Sequence, residues 1–307
     1  MSKIFVFGHK NPDTDSIVSS LVMADFEKKL GNENDVVSCR LGMINKETEY
    51  ILNYLGIEAP ILIEDLEDGS EVIIVDTANP GELIPNLSNV KIKKIVDHHQ
   101  VLLNTSYPLF YRAEPVGCTE TIMYKLYKEN NLEIDKKIAT LMLSAIISDT
   151  LLFKSPICTD DDINAVKELS KIAQLDYETY GLDMLKAGTD LSSFSIEEIL
   201  NLDAKAISLK DKKAIIAQVN TASIPDVMNM KADLELGINK IIKENNLDLF
   251  MLLITDIINS NSQIIVLGNY ASIAEKAYGV NLIDNTALLE GIVSRKKQVV
   301  PIMTENA

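Results

Sequence analysis

Three stretches of this chain carry side chains of the kinds that bind metal ions. "GHKNPDTDS" (8–16) holds His9, Asp13 and Asp15. "EVIIVDTANP" (71–80) places Asp76 directly after an apolar run, and "KIKKIVDHHQ" (91–100) does the same with Asp97, His98 and His99. A fourth stretch, "LMLSAIISDT" (141–150), ends an almost wholly apolar segment in Asp149. The chain has only 3 histidines, and each follows an apolar run and lies close to aspartates. Imidazole combined with several carboxylates suits a borderline ion such as Mn, Co, Zn or Fe, and carboxylates readily bridge two ions. Two ions held in this way form a centre that activates a water and clamps an in-line phosphoryl group.

Each residue also has a plainer reading. A histidine after a strand is commonly a hydrogen-bonded core residue, and an aspartate there caps a helix or forms a turn. "DTANP" alone is an Asx turn before a proline. The plainer readings do not predict that all of these residues gather in a few strand ends. The pattern therefore points to a dinuclear metallohydrolase.

The elements needed to position them are legible in the first 110 residues. Ile4 to Phe7, Val36-Val37, Pro60 to Ile63, Glu71 to Val75 and Lys91 to Val96 read as strands. Between them, a helix capped by Asp15 or Ser16 and ended by Gly31 is expected, then one over Glu47–Leu55 closed by Gly56. Near-continuous apolar strands alternating with helices predict an α/β fold with a parallel sheet covered by helices. Ligands of such sheets bind outside the carboxyl ends of the strands, which is where the histidines and aspartates fall. From Thr119 to Leu185 the pattern is helical, with Ile138–Ile147 a buried helix. "KAGTDLSSFS" (186–195) reads as a boundary, giving domains at 1–187 and 196–307 joined by a linker or hinge over 188–195. The second is a smaller α/β domain with antiparallel hairpins, Ala206–Leu209 with Ala214–Val219 and Leu249–Ile254 with Gln263–Leu267.

Composition narrows the function. The 307 residues carry a net charge of −16, which disfavours nucleic acid or an anionic membrane surface as partner. No apolar run approaches the roughly 18 residues of a membrane span. Three cysteines (Cys39, Cys118, Cys158) without a CxxC read as free thiols of a reducing compartment, and the short apolar N-terminus lacks a signal-peptide core. A cytoplasmic protein is expected.

"GHKNPDTDS" paired with "VDHHQ", with a strand-end aspartate between them, resembles the DHH phosphoesterase superfamily. Within it, the likeness to the family II, manganese-dependent inorganic pyrophosphatases spans the whole chain, because "LDAK" (202–205) and "SRKKQ" (294–298) resemble that family's substrate-binding segments. The glycine-rich, GGGH-like motif of the nuclease branch is not found. Nor is there room for a regulatory insert between Asp15 and Asp76. One departure is Asp76-Thr77-Ala78-Asn79, where many members carry a histidine after the aspartate.

The resemblance implies two domains, N-terminal DHH and C-terminal DHHA2, with the active site in the cleft between them. It implies hydrolysis of pyrophosphate to two phosphates by a hydroxide bridging two Mn²⁺ per subunit, with Co²⁺ as a substitute and Mg²⁺ arriving with the substrate. His9, Asp13, Asp76 and Asp149 would bind one ion, and Asp15, Asp76, His98 and Asp149 the other. Asp97 would orient a ligand and His99 would face the substrate phosphate as donor or general acid. Lys205, Arg295 and Lys296 would grip the phosphates, with Lys297 open between substrate and solvent. A homodimer through the N-terminal domain is implied as well. The competing enzymatic reading is a phosphodiesterase or phosphatase acting on very short oligonucleotides or a 3′,5′-bisphosphate nucleotide. It predicts an aromatic platform for a base, which a chain without Trp and with 6% aromatic residues supplies poorly.

Overall fold

The computed structural model describes residues 3–32, 35–192 and 194–307, so Ser193 of the expected linker lies outside the described residues. Contacts divide the chain into two compact units, Met1–Gly188 and Thr189–Ala307.

The first unit opens with β1 (Lys3–Phe7), α1 (Thr14–Lys29), β2 (Asp35–Arg40), α2 (Lys46–Leu55), β3 (Ile61–Leu62), β4 (Glu71–Val75), β5 (Lys91–Asp97) and β6 (Phe110–Ala113). These strands form a six-stranded sheet in the order β3-β2-β1-β4-β5-β6, parallel throughout. The order reverses between β1 and β4, so the chain leaves those two strands in opposite directions and opens a crevice at their carboxyl ends. His9 and Asp76 stand at that point.

Four helices follow: α3 (Thr119–Glu129), α4 (Lys136–Thr150), α5 (Asp160–Ala173) and α6 (Tyr177–Gly188). Most of α4, Ile138 to Ile147, is buried all round, as its unbroken apolar sequence requires. Helix α1 is also buried on nearly every side, packed against β1, β2, α3 and α4. Its N-cap is Asp13, whose carboxylate accepts from Ser16 N at 3.0 Å, rather than the expected Asp15 or Ser16. Asp13 is itself extended, the conformation of a capping residue, so the helix starts directly after it. Asp15 is thereby placed in the first turn with its side chain free for other work. Gly8 is dictated by the same packing: a Cβ there would lie 2.1 Å from Ser16 Oγ and 3.1 Å from Val75 O.

The expected linker 188–195 overlaps helical structure at both of its ends. Residues 186–188 complete α6, and Ser195 with Glu198 forms a capping box for α7 (Ile196–Asn201). The second unit continues with β7 (Ala204–Leu209), β8 (Lys212–Thr221), α8 (Ile224–Met228), α9 (Lys231–Asn245), β9 (Leu249–Asp256), β10 (Asn261–Leu267), α10 (Ser272–Tyr278), β11 (Thr286–Glu290), a π turn at Arg295–Val299 and α11 (Val300–Asn306). Its five-stranded sheet runs β11-β10-β9-β8-β7, antiparallel except between β8 and β9. Strand β9 is buried along its whole length, with separate apolar clusters on the two faces of the sheet.

Candidate metal centre

The carboxyl ends of β1, β4 and β5, the first turn of α1 and the last turn of α4 bring the predicted ligands of the first unit together. Three sets of potential ligand atoms each lie within 4.8 Å of one another: His9, Asp13 and Asp76; Asp15, His98 and Asp149; and Asp76, His98 and His99. Asp76 belongs to two of them. Its Oδ2 lies 3.3 Å from His9 Nε2 and its Oδ1 lies 3.6 Å from His98 Nε2. Asp149 groups with Asp15 and His98, its Oδ2 3.9 Å from His98 Nε2.

The histidine tautomers follow from their partners. His9 Nδ1 lies 2.8 Å from the carbonyl of Lys10, and His98 Nδ1 lies 3.0 Å from the carbonyl of Val116. A carbonyl only accepts, so both Nδ1 atoms carry a proton and both Nε2 atoms face the carboxylates. His98 is 7% exposed and His99 53%. His99 is held by Asp97, whose Oδ1 accepts from its backbone N and its Nδ1, each at 3.0 Å.

The electrostatics are those of a cation site. Burial opposes protonation of His9, yet the neighbouring carboxylates of Asp13 and Asp76 push its pKa up to about 11. Burial opposes His98 in the same way, and Asp76 and Asp15 raise it to about 9. Burial and then the charge of Asp76 raise Asp15 to about 7. Asp149 is pushed well above the usual carboxylate range by burial and by Asp15 and Asp76. Asp76 would be raised by burial, but the two imidazoles hold it below that range. Fully buried Asp76 Oδ2 has no hydrogen-bond partner, and so many carboxylates together are costly without positive charge. Oxygen and imidazole donors that close, one oxygen unclaimed, fit divalent ions of the borderline class.

Backbone strain sits at Asp76, the residue common to two of these groups. Asp76 has φ 58, while its N–H still donates to Val96 O at 2.9 Å, completing the ladder before the chain turns. Left-handed backbone at a non-glycine residue costs free energy, and aspartate is one of the few residues that tolerates it. The neighbouring "TANP" is engaged locally. Thr77 Oγ1 donates to Glu82 Oε2 at 2.8 Å and accepts from Asn79 N, and Asn79 caps Gly81. A cavity of about 520 Å³ opens here, lined by His9, Lys10, Asp76, Thr77, Glu82 and His99 among others, with no Phe, Tyr or Trp among its described lining residues.

Sequence reasoning missed several residues that fix the ligands. Thr119, the first residue of α3, donates its N–H to Asp15 Oδ2 at 2.8 Å and its hydroxyl to Asp76 Oδ1 at 3.1 Å. Ser19 and the fully buried Glu120 stand behind Asp15. Glu47 accepts from Thr14 Oγ1 at 2.7 Å and from Ser148 Oγ, tying together the neighbours of Asp13 and Asp149. The polar run Cys118-Thr119-Glu120-Thr121 ahead of an apolar helix was the one available signal.

In the second unit the two basic segments meet. Arg295 donates through Nη1 to the carbonyls of Asp203 and Ile216, and its Nη2 lies 2.9 Å from Asp203 Oδ1. The guanidinium is 10% exposed, so it braces "LDAK" against "SRKKQ". Lys205, Lys296 and Lys297 are exposed. Asp203 is a second partner that sequence reasoning did not single out.

Comparison with known proteins agrees with this arrangement. The DHH family N-terminal domain matches residues 3–146 and the DHHA2 domain residues 182–306. The manganese-dependent inorganic pyrophosphatase of Bacillus subtilis is 53% identical over 307 residues, covering 99% of each chain. A crystal structure from Methanococcus jannaschii, assigned to the family II inorganic pyrophosphatases, is 39% identical with a TM-score of 0.65 and covers 99% of each chain. An exopolyphosphatase-related protein from Bacteroides fragilis shares the fold alone, at 16% identity and a TM-score of 0.52, covering 99% of this chain and 91% of that one. With its DHH and DHHA2 domains in order and this ligand set at the strand ends, the chain belongs to the family II, manganese-dependent inorganic pyrophosphatases.

Proposed function

We propose that the protein hydrolyses inorganic pyrophosphate to two phosphates at a two-ion centre in its first unit. The observation that carries the reading is the pair of ligand groups joined through Asp76, on a chain 53% identical to a manganese-dependent inorganic pyrophosphatase. His9, Asp13, Asp76 and Asp149 would hold one Mn²⁺ and Asp15, Asp76, His98 and Asp149 the other, with Asp76 and Asp149 common to both. Co²⁺ is an acceptable substitute, and Mg²⁺ enters with the substrate. When bound, the two ions supply Lewis acidity and an activated water for in-line attack on phosphorus.

The chain's own residues do the rest. His9 and His98 present Nε2 because carbonyls fix their Nδ1 protons. Asp97 holds the imidazole of His99 through Nδ1, leaving Nε2 to donate to a substrate phosphate or to protonate the departing one. Lys205 and Lys296 act as point charges toward the terminal phosphates, and Arg295 offers the donors that Asp203 leaves free. These groups belong to the second unit.

A cytoplasmic homodimer completes the reading. None of the described helices is long and apolar enough to cross a membrane. Edge strand β6 exposes Phe110 and Tyr111, with Val101, Leu102 and Tyr107 also exposed nearby in sequence. An exposed apolar edge of that kind calls for a partner surface. Sedimentation of the native chain as a dimer and of Tyr111→Lys as a monomer is expected; a monomeric native chain would sink this part. The phosphodiesterase alternative is not favoured, since the cavity offers no aromatic platform. The decisive comparison is phosphate release from pyrophosphate, a dinucleotide and a 3′,5′-bisphosphate nucleotide by Mn²⁺-loaded protein. Turnover of pyrophosphate alone is expected; turnover of the nucleotides in its place would overturn the assignment.

A further inference from the structure

Ser19 lies one turn beyond Asp15 on α1, between two buried carboxyl groups. Its Oγ is 3.0 Å from Asp15 Oδ1 and 2.8 Å from Glu120 Oε1. A hydroxyl has one hydrogen to give and two lone pairs to receive. It can therefore satisfy only one of these oxygens as a donor. Were both carboxyls ionised, the other contact would set a lone pair against a carboxylate oxygen in a place that water does not reach. One of the two acids must supply the second proton.

The surroundings decide which. Asp15 has support for a negative charge: Oδ2 accepts the first N–H of α3, from Thr119, and faces His98 Nε2 at 3.8 Å. Glu120 has none. Ser19 is its one side-chain partner, its Oε2 has no hydrogen-bond partner, and no Lys, Arg or His among the described residues pairs with it. Glu120 is fully buried. An ionised carboxylate in that position is the costly alternative. Burial, and after it the charge of Asp15, places its pKa well above the usual carboxylate range.

We propose that Glu120 is a positioning residue that acts as the neutral acid. Its proton is donated to Ser19 Oγ, and Ser19 in turn donates to Asp15 Oδ1, fixing that carboxylate to receive the second ion. The inference rests on the reading of Asp15 as a metal ligand. Two consequences separate this role from that of an acidic residue that merely adds charge. Glu120 contributes no negative charge to the cation site, and an amide in its place supplies the same donor. Glu120→Gln preserves the chain of hydrogen bonds, Glu120→Ala removes its origin, and Ser19→Ala breaks its middle link with little change in volume.

The test is calorimetric titration of Mn²⁺ into the metal-stripped full-length protein and into Asp15→Asn, Glu120→Gln, Glu120→Ala and Ser19→Ala, with thermal melts to confirm folding. Asp15→Asn is expected to lose one ion. Glu120→Gln should bind both with affinities within about twofold of the native protein. Glu120→Ala and Ser19→Ala should weaken one ion by about 10-fold or more and leave the other unchanged, the usual consequence of removing a group that orients a ligand. Infrared spectra of the native metal-loaded protein should contain a protonated-carboxyl C=O band that Glu120→Gln lacks. Should Glu120→Ala fail to fold, Ser19→Ala and Glu120→Gln still decide the matter. Weakening by Glu120→Gln as large as that of Ser19→Ala would mean that the charge of Glu120 matters, and the inference falls. It falls equally if Ser19→Ala binds both ions as the native chain does while Asp15→Asn loses one, with the ligand reading intact. Two ions bound by Asp15→Asn would remove that reading and the inference together.

Discussion

Arg295 and Lys205 belong to the same proposed phosphate grip, but the structure gives them different second duties. Arg295 is buried against the carbonyls of Asp203 and Ile216 and the carboxylate of Asp203, whereas Lys205 is exposed. Arg295→Ala should therefore lose substrate affinity and also destabilise the second unit by about 2 kcal/mol, the scale of unmaking buried charge-assisted hydrogen bonds. Lys205→Ala should raise KM with stability unchanged within about 0.5 kcal/mol. Parallel melts and kinetics check this; equal melting points for the two variants would contradict the bracing role. The imidazoles set the pH dependence. With His9 raised to about 11 and His98 to about 9, the metal-free chain holds both rings protonated at neutral pH. A metal takes only the neutral ring, so Mn²⁺ affinity must climb as pH rises toward 9 and then 11. The stability those raised histidines give the metal-free fold has the opposite slope: it is complete below their ordinary value of 6.5 and is lost as pH rises through 9 and 11. His9, Asp76 and His98 could be read from the sequence because rare or charged residues follow apolar runs. Ser19, Glu120 and Asp203 could not, because their residue types are common and their partners lie as much as 101 residues away.

At the scale of elements, the close approach of α1 to β1 is what aims Asp13 and Asp15. A Cβ at Gly8 would stand 2.1 Å from Ser16 Oγ, with Ser16 lying next to Asp15 in the first turn. Gly8→Ala should cost about 1–3 kcal/mol of stability, as overpacking does, and should weaken Mn²⁺ binding by tilting that turn. Unaltered metal affinity in a folded Gly8→Ala would show that the helix start does not position the ligands. The strands were legible because parallel sheets buried on both faces produce continuous apolar runs, as in "EVIIV". Helix boundaries were less so. The start of α1 was placed two or three residues late because three closely spaced residues, Asp13, Asp15 and Ser16, all have capping side chains. Of the expected linker 188–195, Gly188 closes α6 and Ser195 caps α7.

At the scale of the whole molecule, the proposed function divides the labour between a parallel-sheet unit that would hold the ions and a mostly antiparallel unit whose Lys205, Arg295 and Lys296 would receive phosphate. An acidic chain can take a polyanionic substrate because the ions and a few placed cations, rather than the net charge, set the local potential. The central claim is that two ions sharing Asp76 are needed for the chemistry. Stepwise addition of Mn²⁺ to the metal-stripped protein at pH 8, followed by calorimetry in two buffers and by phosphate release from pyrophosphate with Mg²⁺ present, tests it most directly. The account predicts two Mn²⁺ per chain and release of protons as His9, His98 and the raised carboxyl of Asp149 deprotonate. Pyrophosphate hydrolysis should rise with the second ion rather than the first. Full activity with a single ion bound, or two ions bound without hydrolysis of pyrophosphate, would contradict it.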